Sequence, residues 1–322
     1  MRHKGINYAK YGYLFSLPFI LSFLIFTLYP IIYTVMISFS DLKGAGMNEF
    51  KILEAPFDNF RLILNNNLFK TSLGNTVLIW VMNFIPQILL ALILTWWFTS
   101  RVYSVRGQGA FKVLFYMPNI ITAASIAMLY YSLFSYPIGA VNSLLQNLHL
   151  FSSPKDFLMD KWATRSIVAF IQFWMWYGYT MLILISGVLG INPELFEAAD
   201  IDGASDWQTF IYVTLPNVRT IVLYTLVTSL IGGMQMFDIP RLFAMGGPDN
   251  ATHTASIFIY TQAFEGPRFL NRAAAASMIM FIFIAILSAI IFYIMRDKEE
   301  EKIKQQRKLA DKAATQKRGL SR

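Results

Sequence analysis

Residues 73–98 read LGNTVLIWVMNFIPQILLALILTWWF, and not one side chain in the run is charged. A helix that crosses a bilayer needs roughly 20 mostly apolar residues, so the run is long enough to span. Five more uncharged apolar runs lie at 13–39, 113–134, 166–190, 220–237 and 273–295, the fifth in chain order being the shortest. These runs predict an all-α polytopic membrane protein with six transmembrane helices. Six buried helices of a soluble bundle are the competing reading, but soluble helices keep a polar face and these runs do not. The first run is too long for the apolar core of a cleaved signal, and no small-residue cleavage site closes it. It reads as a retained first span.

Composition supports lipid as the solvent. Of 322 residues, 56% are hydrophobic and 14% charged, where a soluble domain carries about 25% charged residues. Mean hydropathy is +0.48. Cysteine is absent, which excludes disulfides, zinc–thiolate clusters and thiol nucleophiles. The three histidines, His3, His149 and His253, show no metal-ligand spacing. Net charge is +8, yet ten of the 27 Lys/Arg fall in the tail 296–322, so the basicity describes a tail beside a membrane rather than a nucleic-acid groove. Arg2, Lys4 and Lys10 precede the first run, Arg101, Arg106 and Lys112 join the second to the third, and Arg219 opens the fifth. Together with the tail they collect on one side, which places both termini in the cytoplasm. The domain reading is a transmembrane unit at 1–295 followed by a basic cytoplasmic tail.

The connection 191–216 departs from that charge trend, carrying five acids and no Lys or Arg, although alternation places it inside. Asn192 suits an N-cap and Pro193 the first helical position. Glu194 and Glu197 complement the positive end of the helix dipole. Gly203 suits a left-handed helix end, and Ser205 with Gln208 makes a capping box for a second short helix, which Pro216 stops. Leu195, Phe196, Ala198 and Ala199 give this helical hairpin an apolar, close-packing surface that wants a protein partner. A merely interfacial amphipathic hairpin is the bland alternative.

The run Glu197-Ala198-Ala199, Asp202-Gly203-Ala204, Phe210, Leu215-Pro216 resembles the EAA loop of binding-protein-dependent ABC permeases, with Val213 where isoleucine is commoner. Further fragments resemble the maltose, multiple-sugar and lactose branch: Leu28-Tyr29-Pro30, Asp58-Asn59-Phe60, Asn75-Thr76, Met117-Pro118, Gly246-Gly247-Pro248 and Arg272-Ala273-Ala274-Ala275. The resemblance implies a type I ABC importer permease fold in a bacterial plasma membrane. It implies a second homologous permease, two cytoplasmic ATPase subunits and an extracellular sugar-binding protein as partners, with no nucleic acid. ATP and Mg would belong to the ATPase, and this chain would hold no cofactor and catalyse no reaction; no GxxxxGK[ST] phosphate loop occurs in it. Glu197, Ala198, Ala199, Asp202, Gly203, Ala204, Leu215 and Pro216 would couple to the ATPase. Glu197 also serves its own helix as a first-turn acid, and Gly203 is first a backbone requirement.

A sugar path needs amide and hydroxyl partners together with aromatic faces. Asn83, Gln87, Asn119, Gln172, Trp174, Trp176, Tyr179, Ser229 and Gln235 supply these within the runs. The resemblance places Tyr179 and Ser229 on sugar-contacting positions, and Gly232, Gly233 and Met236 on the same stretch, the glycines standing where larger contact residues are usual. Inter-helix hydrogen bonding explains polar residues in spans equally well; close helix packing likewise explains the glycine pair, and Trp174 has a lipid-facing alternative. The segment 244–271 is expected outside, with Gly246-Gly247-Pro248 as a turn and His253 as a surface residue. Three rivals remain: an ABC permease for another solute, an ion-coupled sugar carrier and a membrane enzyme. The carrier would need an intramembrane carboxylate, which the runs lack, and the enzyme a catalytic cluster.

Overall fold

The computed structural model describes residues 9–44, 50–103 and 106–296. Arg2 and Lys4 of the charge argument, and the tail beyond Arg296, lie outside the described residues. Among the described residues, besides a single 3-10 turn at Phe157–Met159, the helices are α1 Tyr11–Ser38, α2 Asp58–Asn65, α3 Asn67–Thr99, α4 Gln108–Ile120, α5 Ala123–Phe134, α6 Ala140–Asn147, α7 Lys161–Leu189, α8 Pro193–Ile201, α9 Asp206–Asn217, α10 Arg219–Met234, α11 Asp238–Ala244, α12 Ala255–Phe264 and α13 Leu270–Met295. Among the described residues the only sheet-like pairing is an isolated bridge from Ser40 to Ile52. The protein is all-α.

Helices α1, α3, α7 and α13 are each long and apolar enough to cross a membrane, with mean hydropathies of 2.2, 2.4, 1.5 and 2.8. Two further spans arise if α4 with α5, bent by 89°, and α9 with α10, bent by 70°, each count as one, which gives six. The sequence treats 113–134 as one straight run, whereas the structure breaks it. Pro118 removes a helical hydrogen bond near the end of α4, and Thr122, in extended conformation, restarts the chain by capping Ser125 N–H. Asn119 seals the bend by donating to the Met175 carbonyl of α7 at 3.2 Å. The second bend follows Pro216, with Val218 outside helical geometry.

The apolar run at 220–237 also overshoots its helix. Helix α10 stops at Met234, and Gln235, Met236 and Phe237 turn the chain into α11, which packs against α5. Gly232 and Gly233 weaken the last helical turn, and the helix ends there.

Helices α3 and α7 form the most extensive pairing, and α4 packs on α7 beside them. Around that pair Ile79, Ile126, Val168, Ile171, Met175, Ile239 and Phe243 make a buried cluster. Ala91, Leu94, Met181, Leu184 and Ile185 continue it toward the end of α3. Helix α1 packs on α13 through its final turns, where Ile37 and Ser38 are buried and the Ser38 carbonyl accepts from Asn59 of α2 at 3.0 Å; Tyr13, Phe15, Phe19 and Phe26 are exposed along it.

Helix α3 is the measuring rod of the molecule, about 50 Å long at 1.5 Å per residue. Its first turns hold the segment 246–254. Ser72 Oγ and His253 Nδ1 lie 2.8 Å apart, and Asn75 donates to the carbonyls of Asn250 at 2.6 Å and His253 at 3.2 Å. Arg165 of α7 donates to Asn75 Oδ1 at 2.8 Å and to the Ala251 carbonyl at 2.9 Å. His253 is therefore a buried residue rather than the surface residue expected, and burial is the main cause that depresses its pKa, with Arg241 adding to it. The other end of α3 meets the α8–α9 hairpin: Ser100 Oγ donates to Asp206 Oδ1 at 3.0 Å, and Arg101 pairs with Asp200 at 3.1 Å.

Candidate functional site

A cavity of about 390 Å³ opens between α3, α7 and α10, near the middle of α3 and between its two anchored ends. That volume falls in the range of roughly 300–1,000 Å³ usual for small-molecule sites. Helical spacing explains how three apolar helices present a polar wall. Asn83 and Gln87 are one turn apart on α3; Gln172, Trp176 and Tyr179 share one face of α7; Thr225, Ser229 and Gly232 share one face of α10. Gln235 and Met236, in the turn that follows α10, complete the wall. All of the candidate path residues, Asn83, Gln87, Gln172, Trp176, Tyr179, Ser229, Gly233, Gln235 and Met236, are thus brought to one space.

They are not equivalent within it. Gln87 of α3 donates to Thr180 Oγ1 of α7 at 2.8 Å and ties the two helices together, while Asn83 donates to the Ile79 carbonyl one turn back on its own helix at 3.0 Å. Both are buried, leaving their carbonyl oxygens as the groups turned to other use. Trp176 and Tyr179 meet edge to face, ring centroids 5.7 Å apart, and Trp176 is exposed. An aromatic face beside amides and hydroxyls is what a polyhydroxylated ring requires. Gly233 and Gly232 differ sharply. A Cβ on Gly233 would sit 2.0 Å from Trp80 Cδ1, so this glycine exists for packing, whereas a Cβ on Gly232 would meet nothing within 4 Å. Trp174 lies outside the cavity lining and packs on Tyr130, centroids 5.8 Å apart. Asn119 serves the α4–α5 bend instead of the cavity. The sequence reading passed over Thr180, Thr225 and Thr228, which line the wall, and Asp238, the first residue of α11. Counting turns from Ser229 would have found Thr225; Asp238 stood one residue beyond the apolar run and escaped the search for carboxylates within it.

The second feature is the hairpin α8–α9. Asn192 caps α8 through Glu194 N–H, Pro193 takes its first position, and Gly203 ends it with φ of 72°. Ser205 and Gln208 form both hydrogen bonds of a capping box, at 3.3 Å and 2.8 Å. Helix α8 rests on the π-helical turn Phe210–Thr214 of α9. Glu194, Glu197, Ala198 and Ile201 are exposed on one stripe, with Asp202 and Gly203 also outward and Ala204 and Leu215 half-buried. Ala199 is buried, 8% exposed, because it lies on the opposite face. The apolar outer surface is therefore Leu195, Ala198 and Ile201, and Ala199 supports it from within. Ile201, 85% exposed, was not singled out in the sequence. Pro216 is exposed at the α9–α10 bend. Among the described residues no group of three or more His, Asp or Glu could hold a metal ion.

Comparison with known proteins agrees with this architecture. The family of binding-protein-dependent transport system inner membrane components matches residues 63–305. The lactose transport system permease protein LacF of Rhizobium radiobacter is 30% identical, over 92% of this chain and 97% of its own length. The arabinooligosaccharides transport system permease protein AraP of Bacillus subtilis is 29% identical, over 89% of this chain and 90% of its own. Among solved structures, a bacterial ABC transporter that imports the acidic polysaccharide alginate superposes with a TM-score of 0.73 at 25% identity, over 91% of this chain and 97% of that one. The same kind of transporter, in complex with an alginate pentasaccharide-bound periplasmic protein, gives 0.74 at 26% identity, over 91% and 96%. The chain belongs to the binding-protein-dependent transport system inner membrane components, the permease family of ABC importers.

Proposed function

We propose that this chain is one permease of an ATP-driven saccharide importer, and that its central cavity is half of the sugar path. The observation that carries the reading is the wall of amides, hydroxyls and aromatic rings assembled from three otherwise apolar helices. Water released from a saccharide hydroxyl must be replaced by a hydrogen-bonding group, and Gln172, Ser229, Gln235 and the free carbonyls of Asn83 and Gln87 supply them. Trp176 and Tyr179 offer ring faces. Relatives named for lactose and arabino-oligosaccharides support saccharides as the cargo.

The remaining half of the path comes from a second, homologous permease, and a solute-binding protein delivers the cargo from outside. Two cytoplasmic ATPases bind ATP and Mg. Helix α8 docks in a groove of one of them through Glu197, Ala198 and Ile201, with Asp202, Gly203, Ala204, Leu215 and Pro216 holding the hairpin's shape. Both termini are cytoplasmic. Because Ser100 and Arg101 tie the hairpin to α3, and α9 runs through the 70° bend into α10, a displaced α8 moves two of the three helices that carry the cavity wall. Alternating access follows from that linkage.

The test is saccharide uptake into proteoliposomes holding the whole complex, with its binding protein, across a panel that includes lactose and arabino-oligosaccharides. ATP-dependent uptake that is lost in Glu197→Lys, with the complex still assembled in the membrane, supports the reading. Accumulation of a non-saccharide solute alone, or full uptake by Glu197→Lys, refutes the cargo or the coupling respectively.

A further inference from the structure

One charged side chain lines the cavity, and among the described residues no cation pairs with it. Asp238 stands where α11 begins and is exposed to the cavity space. Every other lining residue is uncharged. Among the described residues no hydrogen bond or ion pair engages the Asp238 carboxylate, and the four ion pairs all lie elsewhere. The natural partner would be Arg241, one turn later on the same helix. That guanidinium is committed instead, bonded to Glu265 at 2.5 Å and stacked over the Tyr260 ring at 5.7 Å from its centroid. Among the described residues no lysine or arginine lines the cavity.

We infer that Asp238 is a charge filter on the sugar path, so that this permease takes uncharged or amine-bearing saccharides and disfavours uronates. The inference rests on the saccharide reading above and deepens it by naming the substrate class. An unneutralised carboxylate accepts hydrogen bonds from hydroxyl or ammonium groups, which are stronger than neutral ones, and repels a ligand carboxylate. Asp238 is exposed to solvent, so that repulsion is screened by salt. The contrast with the alginate importer is direct: that transporter shares the fold and carries an acidic polysaccharide, whereas this cavity offers an acidic saccharide no cation and one like charge. The neutral wall accounts for sugar binding in general, and Asp238 sets the sign of charge admitted.

The experiment uses the complete complex, with the second permease and ATPases, in nanodiscs without binding protein, so that the permease's own preference is read. Tryptophan fluorescence, with Trp176 in the cavity wall, follows titration with lactose, with fully deacetylated chitobiose and with digalacturonate, at low and high salt. Wild type should bind digalacturonate about tenfold more weakly than lactose at low salt, which is about 1.4 kcal/mol, and high salt should narrow the gap. Asp238→Asn, which keeps shape and removes charge, should close it, and Asp238→Glu should restore it. If Asp238→Asn assembles normally yet leaves the ratio of the three affinities unchanged, the filter is refuted. If it instead releases the second permease, the carboxylate holds an interface cation and the filter is likewise refuted. Wild type that binds none of the three and takes up no saccharide refutes the saccharide reading itself.

Discussion

Gly233→Ala tests the packing that shapes the cavity. The added methyl would lie 2.0 Å from Trp80 Cδ1 and 2.8 Å from its Cγ and Nε1, a clash with a rigid ring rather than a flexible chain end. Trp80 cannot swing away freely, because it stacks on Phe84 with centroids 5.3 Å apart and planes 17° from parallel. Overpacking of this kind costs about 1–3 kcal/mol. The helix gains up to about 1 kcal/mol when alanine replaces glycine, and Gly232→Ala gains the same without a clash, since nothing lies within 4 Å of its added methyl. Propensity therefore cancels between the two variants, and their difference isolates the clash at about 1–3 kcal/mol. Thermal unfolding of the purified complex at one scan rate should rank Gly232→Ala at or above wild type and Gly233→Ala a few degrees below Gly232→Ala. Adding Trp80→Leu should relieve most of the Gly233→Ala penalty. Equal loss in both glycine variants, or no relief from Trp80→Leu, would refute the packing argument.

Three other perturbations follow from the structure. Ser229→Ala removes one neutral hydrogen-bonding group and should weaken saccharide binding about two- to tenfold, while Tyr179→Ala, losing a ring face and a hydroxyl, should weaken it about ten- to a hundredfold; titration of the nanodisc complex measures both. His253 has a folded pKa below its unfolded value of about 6.5, so the stability held in its neutral form is present above that value and is lost as pH falls through it. Melting of wild type from pH 8 to pH 5, as experimental settings of about that range, should show a drop that His253→Gln lacks; parallel curves would remove His253 from the account.

Uncharged runs revealed the spans because lipid imposes one demand over a whole helix length. Bends were less visible. Pro118 and Pro216 marked them, but a proline inside a helix tolerates continuation as readily as a sharp turn, and only Thr122 in extended geometry and Val218 decide the outcome. The hairpin was legible to the level of individual caps, since Asn192, Gly203, Ser205 and Gln208 act on neighbours in sequence. Long-range partnership was not. Nothing near His253 announces Ser72, 181 residues away, and nothing beside Gly233 announces Trp80. Ala199 was assigned to the outer face because composition alone does not say which side of a nine-residue helix meets the protein. Asp238 was missed because it sits just past the apolar run, where the chain folds back toward the cavity.

The chain contains no cysteine, which makes Glu194→Cys a single reactive site on the exposed stripe of α8, one turn before Glu197. With one cysteine placed in the groove of the co-purified ATPase, oxidation should join the two proteins in inside-out vesicles and halt ATP-driven uptake, and reduction should restore it. Labelling of that cysteine from the outside of intact cells, or a complex that transports normally and never forms the cross-link, would contradict the assignment of α8 as the grip between permease and motor.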